Sequence, residues 1–320
     1  MHVVGLKGSP RKKGVTNFLL TTFLDLLEKK GAHIDVVDAC QGDIHPCREY
    51  TACEKTGFCP ISDDMEKEIY GLLRRADIVV AASPVFFFGI SAQLKALVDR
   101  CQVFWARKYR LKLKDPGAPT RRGFLLSAGG SKAPRLFDGV HLTAKYFFDA
   151  IDAQYAGALT YPEMEKRKEM VSHPTVLDEL QQAADDLFAP FENRPCILFA
   201  GRDGACRSVA AAAFAKFKAG DRFEVTSAGT DPGQGLDKTM VRAMKKRGID
   251  TAFQRPVSVE TATGHLAPDI VVAMDKSVSL TAFPSAKQVC WDLNQPGDMD
   301  EGAFNAMCTT IEAKVDALIL

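Results

Sequence analysis

The sequence has little net charge of either sign. Its 41 lysines and arginines face 40 aspartates and glutamates, leaving +1 at pH 7. Divided near residue 193, each part is again close to neutral. A nucleic-acid binder carries a basic patch, so no nucleic-acid partner is expected. No acidic or basic tail is present either. Long hydrophobic runs are also missing. No stretch approaches the ~20 apolar residues of a membrane span, so no membrane partner is expected. His2-Val3-Val4-Gly5-Leu6 follows Met1 without a charged segment and a long apolar one, so no export signal is read there. Nine cysteines are an odd number. In a long chain read as unexported, they imply reduced thiols and a cytoplasmic location, and exclude a disulfide framework. Repeats and low-complexity segments are absent.

What is present is an average globular mixture, 46% hydrophobic and 25% charged over 320 residues. That length suits two domains, each burying its own core. Short apolar runs alternate with helical spacing. His2–Leu6, Ile34–Val37, Asp77–Ala82, Gly123–Ser127 and Tyr155–Leu159 read as strands. Thr16–Lys30, Ser91 to about Arg107, a segment after Val140 and Thr175–Ala189 read as helices. Ala189–Pro195 reads as a linker. The alternation then restarts, with strands at Cys196–Ala200, Phe223–Ser227, Asp269–Met274 and Lys287–Trp291. Helices are expected at Ser208–Lys218, Asp237–Gly248 and Glu301–Leu320. The fold class is α/β: two domains, 1–190 and 195–320, each a parallel sheet covered by helices on both faces.

Three segments at strand ends of the first domain draw attention, because ligands of open α/β sheets bind at the carboxyl ends of strands. Gly8-Ser9-Pro10-Arg11-Lys12-Lys13-Gly14-Val15-Thr16-Asn17 joins the first strand to the first helix. Its backbone N–H groups and helix N-terminus suit a phosphate, with hydroxyls from Ser9 and Thr16 and charge from Arg11. The plainer reading is a solvated basic turn. Pro84-Val85-Phe86-Phe87-Phe88-Gly89 follows the third strand and offers aromatic faces to a flat ring system. Its plainer reading is a hydrophobic corner. Ser127-Ala128-Gly129-Gly130 ends the fourth strand, where glycines admit a close backbone approach.

On Gly8-Ser9-Pro10-Arg11, on Ser83-Pro84-Val85 through Asp99-Arg100, and on Cys59–Met65, the first domain resembles the NAD(P)H-dependent FMN reductases and iron–sulfur flavoproteins of the flavodoxin-like superfamily. The resemblance implies a flavodoxin-like three-layer α/β/α fold. It implies FMN, held by Ser9, Arg11, Gly14, Thr16 and Asn17 at the phosphate. Pro84 to Gly89 and Ser127 to Gly130 would lie against the ring. It further implies NADH or NADPH as donor, a small-molecule or protein electron acceptor, a homodimer, and chemistry at the flavin with no catalytic side chain. The iron–sulfur branch resembles a C-x2-C-x2-C-x4–7-C pattern. Laid on this chain the positions are Cys47, Tyr50, Cys53 and Cys59, so one ligand is missing and no metal is expected.

Ile197-Leu198-Phe199, Cys206-Arg207-Ser208, Thr226-Ser227-Ala228-Gly229-Thr230, Val271–Asp275 and Trp291-Asp292-Leu293 resemble the low-molecular-weight phosphotyrosine phosphatases and the arsenate reductases of the same fold. That family works by a C-x5-R-S loop with a cysteine nucleophile. Six residues before Arg207 stands Gly201, and the family's late Asp-Pro acid is replaced by Gln295-Pro296. A pseudo-phosphatase is expected, whose Gly201, Arg202, Gly204, Cys206, Arg207 and Ser208 retain an anion or serve only as structure. Three functions follow: a flavin oxidoreductase; a redox-responsive module whose second domain docks a partner or oxyanion; or a phosphatase or arsenate reductase, which Gly201 places last.

Overall fold

A computed structural model describes residues 1–264, 267–278, 282–294 and 301–320. The chain forms two compact units. One is Met1–Leu111 with Thr120–Glu192, and the other is Lys112–Pro119 with Asn193–Leu320.

The first unit runs β1 (His2–Lys7), α1 (Val15–Lys29), β2 (His33–Asp38), α2 (Ala52–Thr56), α3 (Tyr70–Arg75), β3 (Ile78–Pro84), α4 (Ala92–Arg100) and α5 (Gln102–Trp105). It continues with β4 (Arg122–Ala128), α6 (Asp138–Ala150), β5 (Gln154–Tyr161), α7 (Arg167–Val171) and α8 (Val176–Phe188). The five strands are all parallel, in the order β2-β1-β3-β4-β5. Strands buried on both faces read as continuous apolar runs. Ile78 to Ser83 is such a run, buried throughout. On one face Leu19, Phe23 and Leu27 of α1 pack with Val3, Val80, Phe124 and Leu126 of the sheet and with Leu180 and Ala184 of α8. Phe23 stacks on Phe124 with centroids 5.1 Å apart. A Cβ at Gly5 would lie 2.6 Å from Leu24 Cδ1, so glycine lets α1 settle onto β1.

The helix expected from Ser91 to about Arg107 breaks at Cys101. The Tyr70 hydroxyl donates to the Arg100 carbonyl at 3.0 Å, and Phe104 N donates instead to Cys101 O at 2.9 Å. That tighter turn separates α4 from α5. The short helices α2 and α7 are too brief to show a hydrophobic period.

The second unit runs β6 (Cys196–Gly201), α9 (Arg207–Ala219), β7 (Glu224–Gly229), α10 (Lys238–Lys246), α11 (Val259–Thr263), β8 (Ile270–Ala273), β9 (Lys287–Cys290) and α12 (Glu301–Ile319). Its parallel sheet has the order β7-β6-β8-β9. Asp237 caps α10 by accepting from Met240 N at 2.7 Å. Lys114 joins this unit through Lys114 N to Gly248 O, 2.7 Å, and Asp250 N to Lys114 O, 2.8 Å.

Candidate functional site

In the order β2-β1-β3-β4-β5 the connections part company between β1 and β3, and the carboxyl ends of those strands open a crevice. A cleft of ≈ 240 Å³ lies there. The loop after β1 lines it with Ser9, Arg11, Gly14 and Thr16. The loop after β3 contributes Pro84, Val85 and Phe86, and the end of β4 contributes Ala128, Gly129 and Gly130. All three expected segments therefore meet in one place. Met164 and Glu165 also line it, and were missed from the sequence. The rule that picked the other loops applies to them, since they follow β5 at the same end of the sheet.

The end of the cleft formed by the loop after β1 has the local character that suits an anion. Helix α1 starts at Gly14, with no side-chain cap and no acid in its first turn. Its first N–H groups have no intrahelical partner, and the partial positive end favours an anion. Ser9 and Thr16 are buried beside it while Arg11 is exposed. Asn17 does not line the cleft. Its Nδ2 donates to Arg11 O at 2.7 Å and to Lys12 O at 3.3 Å, bracing the loop from behind.

Hydroxyls tie the three strand ends together. Ser91 Oγ donates to Gly8 O at 2.6 Å, Ser127 Oγ donates to Ser83 O at 2.7 Å, and Ser83 Oγ accepts from Ser91 N at 2.9 Å. Ser127 is thus a brace and not a lining residue. Ser91 was legible only as the cap of α4.

Phe87, Phe88 and Gly89 also stand outside the lining. Phe86 and Gly89 exchange backbone hydrogen bonds of 2.9 and 3.0 Å, closing a two-residue turn over Phe87 and Phe88. Both turn residues are left-handed, at φ 48° and 61°. Such turns take Asn or Gly by preference. Phe87 is fully exposed, at 105%. The first turn of α6 meets the Phe88 carbonyl, and a Cβ at Gly139 would lie 2.3 Å from it.

In the second unit, β6 leads through Arg202–Cys206 into α9. The loop's carbonyls turn outward: Gly201, Arg202 and Asp203 accept from Thr230, Asp231 and Gly233 N at 3.0, 2.8 and 2.9 Å. Gly204 has φ +62°, and a Cβ there would meet Gly229 N at 2.6 Å. Arg202 is exposed. The Arg207 side chain is buried and engaged. It donates to Asp275 Oδ2 at 2.5 Å, to Leu293 O at 2.7 Å and to Asn294 O at 3.2 Å. Burial works against the Asp275 carboxylate. Hydrogen bonds from Ser277 and Arg207 outweigh it and hold the group below its ordinary value. Ser208 Oγ is buried without a hydrogen-bond partner among the described residues. It points at Gly201, where an added Cβ would lie 3.3 Å away.

Residues 1–134 match the family described as NADPH-dependent FMN reductase, and residues 196–319 match low molecular weight phosphotyrosine protein phosphatase. The chain joins one domain of each kind. An iron–sulfur flavoprotein of Methanosarcina thermophila is 36% identical over 132 residues, covering 41% of this chain and 65% of the relative. One of Methanocaldococcus jannaschii is 38% identical over 100 residues, covering 31% and 51%. The chain spans about half to two thirds of the length of these flavoprotein relatives. Arsenate reductase 1 of Bacillus cereus is 29% identical over 127 residues, covering 39% of this chain and 93% of the relative.

The FMN-reductase-like domain does not fit the four-thiolate cage that an iron–sulfur cluster uses. Cys47, Cys53 and Cys59 are near one another: burial raises the Cys53 thiol, and the other two sulfurs raise it further. Glu49 N donates to Cys47 Sγ at 3.4 Å. Tyr50, at the fourth position, is exposed at 55%. Cys40 lies beside Asp38 and Lys7, at the β2 end of the connection to α2.

The phosphatase-like domain keeps the loop and lacks the attacking sulfur. Gly201 ends β6 where the thiol belongs. Cys206 cannot replace it, because burial holds its thiol protonated far above the ordinary cysteine range. Gln295-Pro296, expected in the acid's place, lies outside the described residues.

Proposed function

We propose that the chain is an FMN-dependent oxidoreductase that takes electrons from NADH or NADPH and passes them to a small-molecule or protein acceptor. The observation that carries this is the cleft at the β1/β3 switch point, where an uncapped 15-residue helix, buried hydroxyls and two strand ends without charged side chains converge. The matched family and the flavoprotein relatives support a flavin-linked oxidoreductase.

The side chains divide the work. Ser9, Thr16 and Arg11 hold the phosphate, with the N-terminus of α1. Pro84, Val85 and Phe86 form a wall for the ring, and Gly129 and Gly130 bring backbone close to it. Glu165 sets a carboxylate at the rim. FMN, when bound, supplies a site for hydride acceptance. The protein's part is to seat and orient it. The exposed Phe87, with Leu142 and Tyr146 of α6, offers apolar surface for a second copy and so a homodimer. Reduced cysteines suit the cytoplasm.

A second reading concerns the phosphatase-like domain alone. Its loop is formed, its nucleophile position is glycine, and its arginine is engaged by Asp275. These features favour a docking module over a phosphatase or an arsenate reductase.

The test is FMN titration by fluorescence quenching, followed by anaerobic mixing with NADH and NADPH. Saturable FMN binding and bleaching of the oxidised flavin band by either nicotinamide are expected. Absence of FMN binding would end the proposal. Tight FMN binding with no reduction by either donor would favour a flavin-bearing sensor.

A further inference from the structure

We infer that His2, His33 and Asp35 form a binding site for a divalent transition-metal ion of the zinc class at the amino-terminal edge of the first sheet. Strands β1 and β2 pair in parallel with His2 opposite His33. Partners in register project to the same side of a sheet, and Asp35, two residues beyond His33, shares that side. The pleat therefore sets two imidazoles and a carboxylate on one surface.

The side chains converge as well. One ligand atom from each of the three can be chosen so that all lie within 4.8 Å of one another. His33 Nε2 stands 3.7 Å from Asp35 Oδ2. The two rings meet edge to face, with centroids 5.2 Å apart at 86°. A tetrahedral ion with bonds of ~2.0–2.1 Å spaces its ligands by about 3.4 Å, so the cluster needs only a small contraction. The His33 and Asp35 side chains are each 31% exposed, so an ion can reach them. Two imidazoles and one carboxylate suit zinc, nickel or copper. Calcium and magnesium prefer oxygen alone. Three protein ligands leave a fourth position for water.

The site lies at the opposite end of β1 from the cleft, about 17 Å away at ~3.3 Å per residue. It is therefore separate from the flavin chemistry, and the inference does not depend on it. Strand β2 is an edge strand, paired only with β1. An ion held between them would clip that edge, and binding to the folded state alone stabilises it.

The 320-residue chain, stripped with chelator, is titrated with ZnCl2 and with CoCl2. The same is done for Asp35→Asn, His33→Ala and a Cys47→Ser/Cys53→Ser/Cys59→Ser variant. Zinc should raise the thermal midpoint of the parent and of the cysteine variant alike. Both site variants should lose that increment and bind one equivalent fewer, or at least about tenfold more weakly. Cobalt in the cysteine variant should give visible d–d bands without thiolate charge transfer. Asp35→Asn keeps the side chain's size, so its loss of zinc response with an unchanged metal-free midpoint excludes misfolding. The inference is overturned if both site variants keep the zinc increment, or if the cysteine variant loses it. Flavin affinity should be the same with and without zinc.

Discussion

Arg100 and Asp63 form an ion pair whose two side chains are wholly buried, with Nη1 2.5 Å from Oδ2. Arg100 also donates to His45 O at 2.9 Å and Ile61 O at 3.3 Å. Asp63 accepts from His45 N and Met65 N, each at 3.0 Å. One pair thus fastens both ends of the segment that carries Cys47, Cys53 and Cys59. Such a pair costs desolvation to make, and more to break by halves.

Removing one partner should therefore be severe. Asp63→Asn is expected to destabilise the protein by about 3–5 kcal/mol, read as a lower urea midpoint with unchanged slope. A shift below about 1 kcal/mol would deny the clamp its role.

The same carboxylate gives a pH dependence. Burial works against its charged form. Hydrogen bonds from Arg100 and the His45 and Met65 amides outweigh that and hold it below its ordinary value. A depressed carboxylate stabilises above its unfolded value, ~3.9 for Asp, and that share is lost as pH falls through the lower, folded value. The parent should lose stability from about pH 4 downward, and Asp63→Asn should lack that part of the acid limb. Parallel acid limbs would contradict the assignment.

Thr16→Val should weaken FMN and leave riboflavin alone, because Thr16 lines the end of the cleft proposed to take the phosphate. A hydrogen bond to a charged group contributes ~1.5–3 kcal/mol, or about 10- to 150-fold in Kd. Fluorescence titration with both flavins reads it. Equal losses for the two would move the phosphate elsewhere.

Phe87 sits at φ 48° with its ring in solvent. A left-handed backbone costs a non-glycine residue about 1–2 kcal/mol, and Asn tolerates it better. Phe87→Asn is expected to raise the stability of the isolated protein by about 1 kcal/mol, seen in chemical unfolding. If the ring contributes to self-association, sedimentation of the variant will show a weaker dimer.

Cys206 should resist alkylation. It is buried and its thiol is pushed far up, whereas Cys47 and Cys290 are exposed. Mass mapping after brief iodoacetamide treatment at neutral pH should find the two exposed cysteines modified and Cys206 intact.

The cleft was legible because its parts are local. Each loop follows a strand of β-branched and apolar residues, and topology alone brings strand ends together. Side-chain direction was not legible. Nothing in the order of residues shows that Asn17 and Ser127 turn away to brace carbonyls, or that Phe87 and Phe88 leave the ring wall for a strained turn. The break at Cys101 depends on Tyr70, thirty residues earlier in sequence than the carbonyl it caps. His2 and His33 likewise meet only through sheet register. Arg207 could be read as an anion ligand or as structure, and the engagement by Asp275 that bears on this crosses 68 positions.

Gly201 has a further consequence. An exposed, low-pKa thiolate is the usual casualty of peroxide. Gly201 has no side chain to carry that sulfur, and the loop's remaining thiol, Cys206, is buried, which pushes its titration up. Oxidants therefore have no handle on it, and a ligand settling there meets nothing that could trap it covalently. Any binding at this loop is therefore reversible.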